Sequence, residues 1–277
     1  MKALIFQSDF GLCDGAVAAM HGVAYSEDPN LKIYNLTHDI PQYDIWEASY
    51  RLIQSISFWP SGSVFVSVVD PGVGSSRRSV VAKTSTGQLI VTPDNGTLTH
   101  VKKMLGIEEV RLLEETKNHL PIKELSYTFH GRDVYAYTGA RLASGKIKFE
   151  DIGPKMGVSS VVELTTIAPE IEDGIIIGTI DVLDVRYGSL WSNIPYEYFK
   201  KMGISVGDKI EVTIMHTDRV LYQNYVSFKT SFSDVRIGEP LVYINSLNNI
   251  GLAINQGSFA KAYNINTGIN WKISFKK

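Results

Sequence analysis

The sequence predicts an N-terminal α/β domain with a largely parallel sheet, followed by a mostly-β barrel domain, and three observations carry that expectation. Through roughly the first 150 residues, short runs rich in Val, Ile, Leu and Phe alternate with segments of helical periodicity, the pattern of strands buried on both faces by crossover helices. Near residues 165–174 the alternation stops, and the remainder is a series of short β-like runs separated by turn residues, as in a small barrel or sandwich. The composition, with 20% charged and 44% hydrophobic residues over a length of 277, is that of a globular chain long enough for two cores.

The expected strands of the first part are Ala3–Gln7, Lys32–Leu36, Ser63–Val69, Ser79–Lys83, Gln88–Val91 and Glu109–Leu113. Between several of them lie helical patterns. Gly15–Tyr25 is rich in Ala and Val. Asp44–Phe58 stripes Ile45, Ser49, Leu52 and Ile56, with Asp44 and Glu47 spaced as a capping box and Pro60 just past the end. Asn95–Leu105 stripes Leu98, Val101 and Leu105 and stops at Gly106, and Asp133–Ala143 stops before Gly145. Ile167-Ala168-Pro169-Glu170 is the expected linker, giving domains 1–168 and 169–277. The second domain is expected to carry strands at Gly174–Leu183, Lys209–Met215, Val220–Phe228, Pro240–Asn245, Leu252–Asn255 and Trp271–Phe275. Its one expected helix is Tyr196–Met202, with Pro195 ahead and Gly203 behind.

Several function classes are disfavoured at this level. The formal net charge of −2 gives no electrostatic footprint for nucleic acid or an anionic membrane. A single cysteine, Cys13, rules out an internal disulfide and fits a reducing compartment. The apolar run Ala3–Phe6 is too short for a signal-peptide core, and no stretch approaches the ~20 apolar residues of a membrane helix. A soluble cytoplasmic chain is therefore expected. Among the histidines no zinc-type spacing occurs, and no metal is expected. No glycine-rich phosphate cradle and no GxSxG elbow is present.

Ligands of an open α/β sheet bind beyond the carboxyl ends of its strands. Four of the expected strands end in an aspartate: Asp9 within Ser8-Asp9-Phe10-Gly11, Asp39 after Thr37-His38, Asp70 within Asp70-Pro71-Gly72-Val73-Gly74, and Asp94 within Pro93-Asp94-Asn95-Gly96. In a parallel sheet these acids converge on one rim. Each also has a plainer reading as a turn former or helix cap, and for Asp94, which opens the Asn95–Leu105 pattern, capping is the preferred one. Phe129-His130-Gly131-Arg132-Asp133 is a second dense cluster, in which His130 suits a base, a hydrogen-bond donor, a metal ligand or a structural role. Arg77-Arg78 reads as a solvated pair or as an anion clamp.

These segments, in this order, resemble the S-adenosyl-L-methionine (SAM) hydroxide adenosyltransferases, adenosine-forming SAM hydrolases related to fluorinase and chlorinase. The resemblance rests on Ser8-Asp9-Phe10-Gly11 with Asp14-Gly15, on Val69 to Gly74 with Arg77, on Pro93 to Gly96 and on Phe129 to Asp133. In the second half it rests on Asp184 with Tyr187-Gly188, on Trp191 to Ile194, on Asn245-Ser246 and on Ile254-Asn255. It implies an α/β domain, a β-barrel, and a homotrimer with the substrate between neighbouring subunits, with SAM as substrate and no cofactor. It implies that Asp70, Arg77 and His130 handle the attacking water, with Arg78 as the competing arginine. It further implies that Asp9 grips the ribose hydroxyls and that Phe129, Asp184, Ser246 and Ile254 line the substrate pocket. Ser189 is a pocket position where the family usually has asparagine, and Gly251 stands where an acidic residue is common. The halogenase relatives differ at Asp70 and His130, which favours water over halide. A non-catalytic adenosine or SAM binder and a halide-using SAM transferase are the alternative readings.

Overall fold

The computed structural model describes residues 2–121 and 128–277, and the chain divides into two compact units, Met1–Leu164 and Thr165–Lys277. The first unit is a three-layer α/β structure. Its elements are β1 (Ala3–Ser8), α1 (Ala16–Glu27), β2 (Lys32–Thr37), α2 (Ile45–Ile56), β3 (Val64–Val68), β4 (Ser79–Thr84), β5 (Leu89–Pro93), α3 (Thr99–Met104), β6 (Ile107–Leu112), a π-helical turn (Gly131–Ala136) running into α4 (Tyr137–Ser144), and the short β7 (Lys155–Met156). The sheet order is β2-β1-β3-β5-β4-β6-β7. The first four strands in that order are parallel, while β4 is antiparallel to both β5 and β6, and β7 is antiparallel to β6. The sheet is thus largely parallel, as expected, with β4 and β7 reversed.

Alternation along the strands feeds two cores. Leu4, Phe6, Val64, Val66, Val81 and Val91 meet Met20 and Ala24 of α1 and Ala140 and Leu142 of α4. Ile5, Phe65, Val80, Ala82 and Ile90 face the other way, onto Leu52, Ile53 and Ile56 of α2 and Val101 of α3. Each such buried side chain contributes about 1.5–3 kcal/mol of apolar transfer free energy, so the two-faced burial holds the strand ends in place. Asp44 caps α2 as its spacing predicts, accepting from the Glu47 amide at 2.8 Å, while the Glu47 carboxylate turns to Arg51 instead of closing the capping box.

The second unit is a closed seven-strand barrel with one added strand. Its elements are β8 (Glu170–Glu172), β9 (Ile175–Leu183), β10 (Leu190–Pro195), α5 (Tyr196–Lys201), β11 (Lys209–His216), β12 (Arg219–Phe228), β13 (Pro240–Ile244), β14 (Asn249–Ile254), α6 (Phe259–Tyr263) and β15 (Trp271–Lys276). The order β10-β14-β13-β12-β11-β15-β9 closes through β9–β10 pairing, and β8 pairs with the first residues of β9. Period-two burial along β11 sends Ile210, Val212 and Ile214 inward. Phe199 of α5 and Phe259 of α6 fill the interior against Phe228, Phe275 and Tyr222.

Four expectations need correction. The helix drawn over Asn95–Leu105 is only Thr99–Met104, because Gly96 adopts φ of +111° and turns the chain first. Asp94 caps nothing; its buried carboxylate pairs with the exposed Arg78. Tyr196–Lys201 is joined by a second helix, α6, which Ser258 caps through the Lys261 amide and Asn264 ends in the left-handed region. Strand β10 is absent from the expected set; its Ser192 turns inward to the Ile250 carbonyl, which masks the apolar alternation. Among the described residues no helix is long and apolar enough to cross a membrane.

Candidate active site

Parallel pairing puts the carboxyl ends of β2, β1, β3 and β5 on one rim, and with them Asp39, Asp9, Asp70 and Asp94. The reversal of β4 brings the start of that strand, and Arg77-Arg78 before it, to the same rim. β6 runs with β5, so its end delivers Glu115 there too.

The two adjacent arginines do different work, neither as a solvated pair nor as a joint anion clamp. Arg78 pairs at 2.5 Å with the fully buried Asp94 carboxylate, which also accepts from the Val162 amide, and donates to the Ser160 carbonyl at 2.6 Å. This ties the 160–162 segment down. Arg77 instead faces Asp70: its Nε lies 3.0 and 2.9 Å from the two carboxylate oxygens, and Nη2 lies 2.6 Å from one of them. The same Nη2 is 3.0 Å from His130 Nδ1. Arg77 Nη1 donates to Ser79 Oγ at 2.8 Å and to Glu115 Oε1 at 3.2 Å. Asp70, Arg77 and His130 therefore meet in one cluster, and their side chains are 5%, 11% and 11% exposed.

Counting donors fixes the directions of these bonds. A guanidinium can only donate, so His130 Nδ1 accepts and the neutral ring carries its proton on Nε2. A carboxylate can only accept, so the Ser79 hydroxyl donates to Glu115 Oε1 at 2.6 Å, and the Tyr135 hydroxyl donates to Ser79 Oγ at 2.7 Å. Burial, and next the Asp70 charge, push the Tyr135 phenol upward, which keeps it a neutral donor. Burial works against the charge on Arg77, but the hydrogen bond and charge of Asp70, with the charge of Glu115, outweigh it and hold its pKa above the usual arginine value.

The Asp9 loop lies close by in the same unit. Asp9 accepts from the Tyr43 amide at 2.9 Å, and Tyr43 holds a left-handed φ of 67°, a strained conformation for a residue with a Cβ. Phe10, next in the chain, packs edge-to-face on Phe129 with centroids 5.8 Å apart. A Cβ at residue 131 would sit 2.9 Å from the Phe10 ring, so Gly131 lets the loop close against the segment bearing His130. Behind Asp9, the buried Ser8 hydroxyl donates to His38 Nδ1 at 2.6 Å, since His38 Nε2–H is committed to Asn35 Oδ1 at 3.0 Å. Burial and the nearby His21 lower the His38 pKa to about 4, against a smaller opposing effect of Asp39. Asp39 itself is exposed.

In the barrel unit, Ser189 and Ile254 line a cavity of about 510 Å³, together with Tyr187, Phe232 and Ser258. Asp184 and Ser246 are not part of its lining: Asp184 accepts from the Arg186 and Tyr187 amides, shaping the turn that presents Tyr187, and Ser246 is exposed on the β13–β14 turn. Gly251 has a steric cause, because a Cβ there would lie 2.7 Å from the Tyr243 ring. The Tyr243 hydroxyl accepts from Trp191 Nε1 at 2.9 Å, and its phenol is raised by burial.

Sequence reading missed Glu115, Ser79, Tyr135 and Tyr243. The strand-end rule that finds Asp70 also points to Glu115, two residues beyond the expected Glu109–Leu113 strand, but a rule restricted to aspartates passes over it. Among the described residues no three His, Cys, Asp or Glu side chains gather as a metal-binding group.

Comparison with known proteins places this architecture among relatives. Residues 4–153 match the SAM hydroxide adenosyltransferase N-terminal domain, and residues 178–272 match the C-terminal domain of that family. An (R)-S-adenosyl-L-methionine hydrolase of Salinispora tropica is 33% identical over 97% of this chain and 96% of its own length. One of Thermus thermophilus is 31% identical over 97% of this chain and 98% of its own. A fluorinase of Nocardia brasiliensis is 27% identical over 98% and 96%. A crystal structure of an uncharacterized conserved protein from Thermotoga maritima superposes with a TM-score of 0.90, at 30% identity over 99% of this chain and all of that one.

Proposed function

Since this chain belongs to the SAM hydroxide adenosyltransferase family, we propose that it hydrolyses SAM to adenosine and L-methionine by in-line attack of water on the ribose 5′ carbon. The observation that carries the assignment of its residues is the single guanidinium of Arg77 joining Asp70 to His130.

In the reaction a bond forms between the water oxygen and C5′ while the C5′–sulfur bond breaks. The electron pair leaves on sulfur, so methionine departs as a neutral thioether and no general acid is required. The chain must instead hold the water in line and take its proton. The Nε2 proton of His130 holds the water oxygen, and Asp70 accepts one of the water's hydrogens. As the C–O bond forms the oxygen becomes strongly acidic, so even a carboxylate paired with arginine can take the proton and pass it to solvent. Fixing the nucleophile in this way is worth several kcal/mol, up to ~7–11 in the best model systems.

Asp9 is assigned to the ribose hydroxyls and Phe129 to the apolar wall beside the reacting carbon. Asp184, Ser189, Ser246 and Ile254 are assigned to the nucleoside and methionine parts of SAM. Self-association as a homotrimer with substrate held between neighbouring subunits belongs to the same reading, as does a cytoplasmic location, where SAM is made. The reaction needs no cofactor.

The test is product analysis in ¹⁸O-labelled water. Adenosine carrying the label at its 5′ oxygen, with equimolar methionine, is expected. Binding without turnover would reveal a carrier, and 5′-chloroadenosine formed in excess chloride would reveal a halide-using enzyme; either outcome overturns the assignment.

A further inference from the structure

We infer that Glu115 is a fourth working member of the cluster: a positioning residue that sets the rotation of the Arg77 guanidinium and, through it, the tautomer of His130. The inference rests on the proposed hydrolysis and deepens it.

A guanidinium gripped along one edge can still rock about that edge. Asp70 engages Nε and Nη2, which orients one edge of the Arg77 fork, and Nη2 is shared with His130. The other edge, Nη1, would be left to swing. It is held by Glu115 Oε1 at 3.2 Å and Ser79 Oγ at 2.8 Å. Glu115 anchors both, because Ser79 in turn donates to Oε1 at 2.6 Å. The supporting groups are deeply buried: Ser79 is 2% exposed and Tyr135 not at all. The order of donation is one-way, from Tyr135 to Ser79 to Glu115, and the chain ends on the carboxylate. Removing that acceptor leaves the buried Ser79 hydroxyl without its strongest partner, which is unfavourable, and leaves Nη1 on a hydroxyl that is itself no longer anchored.

Surface ion pairs often contribute nothing measurable, and the Glu115 side chain is 34% exposed. Its geometry differs from that of such a pair. Oε1, which takes both donors, faces the buried side, while Oε2 lies 3.9 Å from His130 Nδ1. Rotation of the guanidinium would turn Nη2 away from Nδ1, and the imidazole would then be free to place its proton on either nitrogen. Only the Nε2–H form offers a donor to the water while Nδ1 stays on Arg77. Glu115 thus acts on the bond-forming step rather than on substrate affinity.

The experiment is steady-state kinetics with SAM on the full chain, comparing Glu115→Ala, Glu115→Gln and Ser79→Ala with the wild type. Glu115→Ala is expected to lower kcat about tenfold or more with KM within about twofold, the mark of an interaction used in the transition state alone. Glu115→Gln, whose amide oxygen can still accept both bonds, is expected to retain most of kcat. A Glu115→Ala protein with kcat within twofold of wild type overturns the inference, as does a KM rising in step with the fall in kcat. Glu115→Gln as poor as Glu115→Ala overturns it too, since charge rather than orientation would then be at work. If Glu115→Ala does not fold, Ser79→Ala decides: a fall in kcat at constant KM supports the inference, and full activity overturns it. Wild-type protein that makes no adenosine would defeat the hydrolytic reading itself, whereas an active wild type with an equally active Glu115→Ala defeats this inference alone.

Discussion

The rim of the α/β unit and the cavity of the barrel unit hold their candidate residues by opposite means. At the rim, side chains restrain one another: Arg77 alone bonds to Asp70, Ser79, Glu115 and His130. At the barrel, backbone turns present the side chains. Asp184 spends its carboxylate on the amides of Arg186 and Tyr187, leaving the Tyr187 ring exposed beside the cavity. The first arrangement is stiff and electrically asymmetric, which suits a reacting atom. The second is apolar and adaptable, which suits the body of a ligand.

This contrast predicts that substitutions at the rim act on kcat and substitutions at the cavity act on KM. The largest effect is expected from Arg77→Ala, which leaves two carboxylates and an imidazole without their shared donor. A loss of about 10²–10³-fold in kcat, with KM changed only a few-fold, is the scale for removing one preorganised electrostatic group. Measured kcat and KM moving together would erase the distinction between the two regions. A smaller effect is expected from Phe232→Ala, which strips an aromatic wall from the 510 Å³ cavity and the partner of the Tyr243 ring, 5.1 Å away. A KM several-fold higher at near-normal kcat, about 0.5–1.5 kcal/mol of aromatic contact, would sharpen the contrast. A fall in kcat alone would reverse it.

The smallest effect concerns stability and belongs to the α/β unit. Burial lowers both His38 and His100 to about 4, the first helped by His21 and the second by Lys103. Each is neutral in the fold and gains a proton more readily when unfolded, where its pKa is near 6.5. The unfolded chain therefore binds more protons between pH about 6.5 and 4, and stability should fall as pH drops through that window. Thermal midpoints measured from neutral pH to about pH 4.5 should decline, and His100→Gln should decline less steeply. A wild-type midpoint independent of pH over that range would contradict the burial of both rings.

Much of the fold is legible in the residue pattern. Strands β1, β3, β4 and β5 betray themselves because they are buried on both faces and need unbroken apolar runs, and β11, β12 and β15 because one face points into the barrel. Where local chemistry has one outcome, as with the Asp44 carboxylate accepting from the Glu47 amide, the prediction holds. It fails where a residue has two uses. Asp94 before Asn95-Gly96 has the form of a helix cap, but a distant arginine and the Val162 amide claim it. Helix α6 is invisible in the sequence because five residues are too few for periodicity and its signal is one serine cap.

From residue order alone came the fold class, the rim on which Asp9, Asp39, Asp70 and Asp94 gather, and the family resemblance, because short apolar runs and strand-end polar residues are local features written in neighbouring positions. Tertiary structure alone decided that Arg78 turns to Asp94, which nitrogen of His130 bears the proton, and that Glu115 anchors the group. Those outcomes turn on the reversal of β4 and on contacts between residues 36 to 53 positions apart, and hydrogen-bond direction exists only once donor and acceptor have been brought within about 3 Å of each other.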